Sequence, residues 1–157
     1  MLGLPYDYAI DVWSAACSLF ELYTGRILFP GHSNNQMLRL IMDTKGRFPM
    51  KMLKGAFADE HFDNAASGSF VFVERVVDSK GTLTDARRKV VIPVKPSRDI
   101  KSRLLNEDER RRIGNNEDEL KLVQALVDFL DKALTLNPEK RLNVRDALTH
   151  PFITGKL

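Results

Sequence analysis

The feature that most restricts the fold is the stretch from Tyr8 to Thr24, where large apolar residues recur at the period of an α-helix until Gly25. Val12, Trp13, Ala16, Leu19, Phe20 and Tyr23 share one face at that spacing. Gly25 stands where a left-handed residue commonly closes a helix. Ile10, Ala15, Cys17 and Leu22 spread apolar character around much of the remaining surface, leaving Asp11, Ser14, Ser18 and Glu21 as its polar part. A helix apolar on most sides is expected at the centre of a core.

A second helix is predicted through Met37, Leu38, Leu40, Ile41 and Met42, ending at Gly46 and Pro49. Ser33-Asn34-Asn35-Gln36 ahead of it has the form of a capping box, in which serine and glutamine side chains satisfy unpaired amides. From Gly46 to Asn116 the period is lost. Two runs within it, Ser69 to Val77 and Arg87 to Val94, are rich in valine and aromatic residues and read as strands joined by a hairpin loop at Asp78-Ser79-Lys80-Gly81-Thr82. The charged run Asn106 to Asn116 reads as a solvated linker or an exposed helix. Order returns at Asn116, a candidate cap with Glu119 three residues later, before the stripe Leu120, Val123, Leu126, Val127, Leu130 and Leu134. Asn137-Pro138 breaks that helix, and Asn143 is placed to cap a last one bearing Val144, Ala147 and Leu148 and ending near His150-Pro151-Phe152. The predicted fold is therefore mainly α, three or four helices around the Tyr8 to Thr24 helix, with a small β-hairpin.

Composition narrows the function classes. With 157 residues and 43% hydrophobic content the chain can bury a core. Its net charge of +3 comes from 24 basic and 21 acidic residues that are largely interspersed, so direct nucleic-acid binding is not expected. The runs Arg87-Arg88-Lys89 and Arg110-Arg111-Arg112 could meet phosphates, though short basic runs are usually solvated surface. Cys17 is the only cysteine, which excludes an internal disulfide and favours an intracellular compartment. No apolar stretch is long enough to span a membrane and no signal-peptide pattern opens the chain. His32, His61, His150 and Cys17 share no zinc-ligand spacing.

Two separated patterns carry a family likeness. Asp11-Val12-Trp13-Ser14 resembles the D-x-W-S element in the central helix of eukaryotic protein kinases. Leu136-Asn137-Pro138-Glu139-Lys140-Arg141-Leu142, followed by His150-Pro151-Phe152, resembles their closing D-P-x-x-R element and H-P tail. The intervening Glu21-Leu22-Tyr23-Thr24-Gly25 and Leu28-Phe29-Pro30-Gly31 fit the same order. The likeness is nearest to the CMGC group, which carries an insert where this chain has its irregular stretch. Within that group Leu2-Gly3-Leu4-Pro5-Tyr6-Asp7 and Asn34-Asn35-Gln36-Met37-Leu38 resemble the spliceosome-associated pre-mRNA-processing kinases. Ala16 stands where the family usually has glycine, and Asn137 where it usually has aspartate.

The resemblance implies that residues 1–157 are a partial kinase domain, the helical C-terminal lobe following an A-P-E triplet that would lie immediately before Met1, with a CMGC-type insert at about residues 46–116. It implies no catalytic residue and no cofactor or metal ligand in this chain, because G-x-G-x-x-G, V-A-I-K, H-R-D and D-F-G do not occur in it. ATP and Mg would belong to the full-length family member. Three residues would support the kinase site: Asp11, accepting hydrogen bonds from the catalytic loop; Trp13, a packing anchor; and Arg141, paired with the A-P-E glutamate. Without that glutamate Arg141 is expected to be left as an unpaired buried charge, a loss of about 3–5 kcal/mol.

Three readings of function follow. The chain is part of a Ser/Thr kinase whose parent moves the ATP γ-phosphate to protein hydroxyls, possible substrates being splicing factors, and is inactive alone. Alternatively it is a non-catalytic interaction module using the Met37 helix and the insert around Phe57 to Phe72. Or it is an incomplete portion of a longer reading frame. Expected partners are the N-terminal lobe and catalytic loops of the parent, with proteins bound through the helix and insert, and no membrane. A nuclear location is implied by the resemblance alone.

Overall fold

Side chains that occupy unpaired backbone groups set the helix boundaries of this computed structural model, which describes residues 1–64, 70–77, 83–92 and 96–156. Helix α1 spans Ala9–Thr24 and ends at Gly25, whose φ of 67° lets its N–H turn back to the Glu21 carbonyl at 2.7 Å. Its first turn is held by Asp7, whose carboxylate accepts from the Ala9 N–H at 2.9 Å. Helix α2 spans Asn34–Lys45, with the Ser33 hydroxyl accepting from the Gln36 N–H at 3.2 Å. The return arm of the expected capping box goes one residue further out, the Gln36 side-chain oxygen accepting from the His32 N–H at 2.8 Å. Asn116 caps the helix that begins at Glu117, accepting from the Glu119 N–H at 3.1 Å.

Two compact units divide the chain. The sheet unit, Met1–Pro5 with Phe29–Ser97, holds α2 and three antiparallel strands in the order β1 (Phe62–Asn64), β2 (Phe70–Val77) and β3 (Leu83–Val90). The β2–β3 register pairs Phe72 with Val90, Glu74 with Arg88 and Arg75 with Arg87. Phe62 meets Phe72 edge-on at 5.4 Å and Phe48 at 6.3 Å, and Leu38, Ile41 and Met42 of α2 are buried in the same unit. Asn35 joins helix to sheet. It is 5% exposed; its amide donates to the Val73 carbonyl at 2.8 Å, and its oxygen accepts from the Arg75 N–H at 3.0 Å. Gly55 admits the close approach of Leu2, whose carbonyl a Cβ at Gly55 would meet at 2.1 Å.

The helical unit, Tyr6–Leu28 with Arg98–Leu157, holds α1, α3 (Ile100–Leu104), α4 (Glu107–Ile113), α5 (Glu117–Ala133), α6 (Val144–Thr149) and α7 (Pro151–Thr154). Helix α5 is its axis, packing against α1, α3 and α7. Leu130, Ala133 and Leu134 are completely buried, and each leucine contributes about 1.5–3 kcal/mol by leaving water. His150 donates through Nε2 to Asp128 at 2.9 Å while its Nδ1 accepts from the Phe152 N–H, which opens α7.

The fold class is as expected, mainly α with a small antiparallel sheet. Three local features differ. Helix α1 is not buried all round: only Ala16 and Phe20 are buried, while Ile10 is 51% and Leu22 81% exposed. Within its unit α1 packs against α5 and the 3-10 turn Pro138–Lys140, which cover one flank. The second strand of the hairpin begins earlier than Arg87, at Leu83, where pairing with Val77 and the Thr84 hydroxyl donating to the Val76 carbonyl at 2.8 Å extend the ladder. The expected loop Asp78 to Thr82 and the end of the Arg87 to Val94 strand lie outside the described residues. Strand β1 and helix α3 were not expected; with three and five residues they are too short to show a period. Residues 46–116 are shared, those to Ser97 falling in the sheet unit and those from Arg98 in the helical unit.

Candidate functional site

In the helical unit Arg141 sits at the C-terminal side of the 3-10 turn Pro138–Lys140, which Asn137 caps through the Glu139 N–H at 3.1 Å. Its guanidinium donates to three carbonyls: Nη1 to Ala9 at 2.8 Å, Nε to Thr135 at 2.9 Å and Nη2 to Leu136 at 3.3 Å. The guanidinium carbon lies 4.9 Å from the centre of the Trp13 ring. One side chain thus ties the first residue of α1 to the segment after α5, across 132 positions of sequence. Burial pushes the guanidinium below its ordinary pKa, and the Asp7 carboxylate opposes that. The expected unpaired charge is not there: peptide oxygens and an indole face take the place of a carboxylate partner.

Arg103 repeats the arrangement at the other end of α1. It donates to the Leu28 carbonyl at 3.1 Å and covers the Phe20 ring at 4.8 Å. Burial, then the neighbouring Arg98 charge, lowers its pKa. Between the two arginines, burial pushes the Cys17 thiol up to about 11, against the pull of Arg141, so the thiol is unreactive near neutral pH.

Asp11 lies exposed on the first turn of α1. The capping role at this helix start belongs to Asp7, and among the described residues no hydrogen bond or ion pair engages the Asp11 carboxylate. The structure therefore unites Trp13 and Arg141 in one contact and leaves Asp11 as an uncommitted acceptor on the same helix.

The arginine run of α4 is occupied locally. Arg112 bonds Glu119 at 2.6 Å and Glu109 at 2.8 Å, Arg111 lies 3.7 Å from Glu107, and Arg110 donates to the Leu105 carbonyl at 3.0 Å. Glu109 also receives the Tyr23 hydroxyl; burial, followed by that bond, pushes the Tyr23 phenol up to about 12. These contacts occupy the run within its own helix and with the first turn of α5.

The profile of the protein kinase domain matches residues 2–153. The chain belongs to the protein kinase family. This kinase chain is 46% identical over 158 residues to the serine/threonine-protein kinase prp4 of Schizosaccharomyces pombe, covering 99% of itself and 31% of that protein. It is 38% identical over 155 residues to the serine/threonine-protein kinase prpf4B of Dictyostelium discoideum, covering 98% of itself and 18% of the relative. The human dual specificity tyrosine-phosphorylation-regulated kinase 4 is 31% identical over 156 residues, with 98% and 24% covered. The kinase chain spans about a third or less of the curated relatives it matches.

The cavity of about 360 Å³ in the helical unit is lined by Asp99, Asp128 and Asp131, which would repel a triphosphate. Among the described residues no three His, Cys, Asp or Glu side chains converge where a metal could bind. Among the described residues no helix is long and apolar enough to cross a membrane.

Sequence reasoning did not single out Asn35 or Arg103, and weighed His61 only as a zinc ligand. Asn35 entered only as part of a capping pattern, and its bonds reach 26 to 40 residues away. No local signal announces such partners.

Proposed function

We propose that this chain forms the supporting part of the C-terminal lobe of a Ser/Thr protein kinase of the pre-mRNA-processing type. The parent would move the ATP γ-phosphate to serine or threonine hydroxyls of proteins, splicing factors among them, in the nucleus. The observation that carries this reading is the Trp13–Arg141 contact, which brings the D-V-W-S and N-P-E-K-R-L elements together within a chain matched to the kinase domain along nearly its whole length. Phosphoryl transfer depends on positioning and charge stabilisation, so a lobe that holds a catalytic loop from beneath contributes without touching substrate. Asp11 would accept backbone N–H groups of that loop, and the exposed Ile10, Leu22 and Ile27 offer apolar surface on which further kinase segments would pack.

On this proposal the 157 residues alone transfer no phosphate. A chimera carrying them in place of the matching region of the fission-yeast relative is expected to phosphorylate a serine-rich protein with labelled ATP. Asp11→Ala in the chimera should lower kcat by about 100-fold with little change in KM. A folded but inactive chimera, or labelling by the isolated chain free of other kinases, would overturn the reading.

The non-catalytic alternative, partner binding through α2 and the following insert, is favoured by Met50 and Phe57, 49% and 52% exposed. Its test is co-precipitation from nuclear extract with wild-type and Phe57→Ser chains. It requires a specific partner that the variant loses.

A further inference from the structure

In the sheet unit the strand register lines up apolar side chains on one face. Phe62 of β1 stands opposite Phe72 of β2, which in turn stands opposite Val90 of β3, and Phe70 lies two residues before Phe72 on the same side. Beside this row is a cavity of about 220 Å³, whose lining Met42 of α2, Phe48 and Leu53 complete. Phe62, Phe72, Met42, Phe48 and Leu53 are all buried, so its walls belong to the core of the unit. The exposed lining residues Arg47, Met50 and Val91 mark its mouth.

Walls of this kind offer water almost nothing to bond, because an enclosed water needs two to four polar partners. An apolar cavity of about 150 Å³ already admits benzene, so this one has room for a chain of about eight carbons. Met42 and Met50 can adjust to its shape. The polar handle is at the mouth. Arg47 is the one ionisable residue in the described lining, with no aspartate or glutamate beside it. Its Nε donates to the Ile92 carbonyl at 2.6 Å, which orients the guanidinium, and among the described residues no ion pair engages it. An anchored guanidinium fork at the rim of an apolar cavity matches a carboxylate, which can take two parallel N–H bonds.

We propose that this cavity binds a medium-chain aliphatic carboxylic acid. The tail would enter among Phe62, Phe70, Phe72 and Val90, and the carboxylate would remain at the mouth on the Nη groups of Arg47. A single cation suits a monoanion, and a phosphoryl dianion would find no second one in the lining. An amine would meet Arg47 as a like charge. The site lies within the sheet unit and needs no catalysis, so it holds under either functional reading above.

The test is isothermal titration calorimetry of straight-chain acids from butanoate to dodecanoate, each below its micelle concentration, into the 157-residue chain. Affinity should rise about fourfold with each added methylene and stop rising near octanoate, once the cavity is full. Octylamine should bind at least about tenfold more weakly than octanoate. Arg47→Gln should cost octanoate about tenfold while leaving octan-1-ol unchanged, and Val90→Phe should weaken both by filling the cavity. Affinity that climbs without a break to dodecanoate would mean adsorption on exposed apolar surface, and it overturns the proposal. Undiminished octanoate binding by Arg47→Gln overturns it too. A peptide with a free C-terminal leucine that binds tighter than octanoate and displaces it overturns the assignment to a small acid. Arg47 is exposed, so its variant is expected to stay folded and decides the matter even if Val90→Phe does not.

Discussion

The two units are each tied together by one polar side chain, and they solve the same problem in different ways. In the helical unit Arg141 supplies three donors to peptide carbonyls while keeping its charge beside an indole and within reach of water. In the sheet unit Asn35, 5% exposed, offers a donor and an acceptor to neighbouring groups of β2. A charged fork suits a half-buried position, where solvent limits the desolvation cost, and a neutral amide suits a deep one. The described arginines of the helical unit that flank α1 or lie in α4 are satisfied by carbonyls, rings or carboxylates. The sheet unit keeps one Arg39 nitrogen buried without a partner. Satisfied arginines build structure, and an unmade bond in a buried one is a local cost.

Asn35→Ala should break this comparison most visibly. It strands the Val73 carbonyl and the Arg75 N–H together, so the sheet unit is expected to lose about 3 kcal/mol. Native-state hydrogen exchange at the Arg75 amide reads the loss directly. Protection that fell no further there than in the helical unit would mean that Asn35 does not lock α2 to β2.

Arg141→Ala should cost the helical unit less, about 2 kcal/mol, because water can reach part of the vacated space. Arg141→Lys should recover less than half, since a single ammonium cannot serve three carbonyls and a ring. Urea midpoints followed by Trp13 fluorescence measure both. Full rescue by lysine would show that charge, not the fork, is what the contact needs.

The smallest expected effect is a pH dependence confined to the sheet unit. His61 is 4% exposed, and burial lowers its pKa below 6.5, with Glu60 opposing and Arg75 adding to the shift. Its Nδ1 also faces the Asn35 amide nitrogen at 3.2 Å; because the Asn35 oxygen already accepts from Arg75, that nitrogen must donate and His61 must accept. The folded unit therefore resists a proton that the unfolded chain takes up. Stability should be complete above about 6.5 and fall as the pH drops below it. His61→Asn should flatten this slope in amide-exchange measurements across pH 5 to 8, and an unchanged slope would assign it to other groups.

Much of the helical unit was legible in its residues because its signals are local. Gly25, Asn116 and Asn143 each act on a backbone group within four positions, and the α5 stripe repeats along a single element. Trp13 and Arg141 were recognisable through motif order, although the carbonyl partners of Arg141 were not. The sheet unit was harder to read. Strand β1 contributes three residues, β3 is partly charged, and its register depends on pairs such as Lys89 with Asp63 that lie far apart in sequence.

The residues alone determined the helix limits, the mainly α class and the family likeness, because capping, periodicity and motif order are properties of neighbouring positions. Tertiary structure alone decided that Arg141 is satisfied by peptide oxygens, that Asn35 locks a helix to a strand and that Arg39 retains an unmade bond. Whether a polar group is stabilising or in want of a partner depends on which distant backbone atoms and how much water surround it, and only the folded chain brings these together.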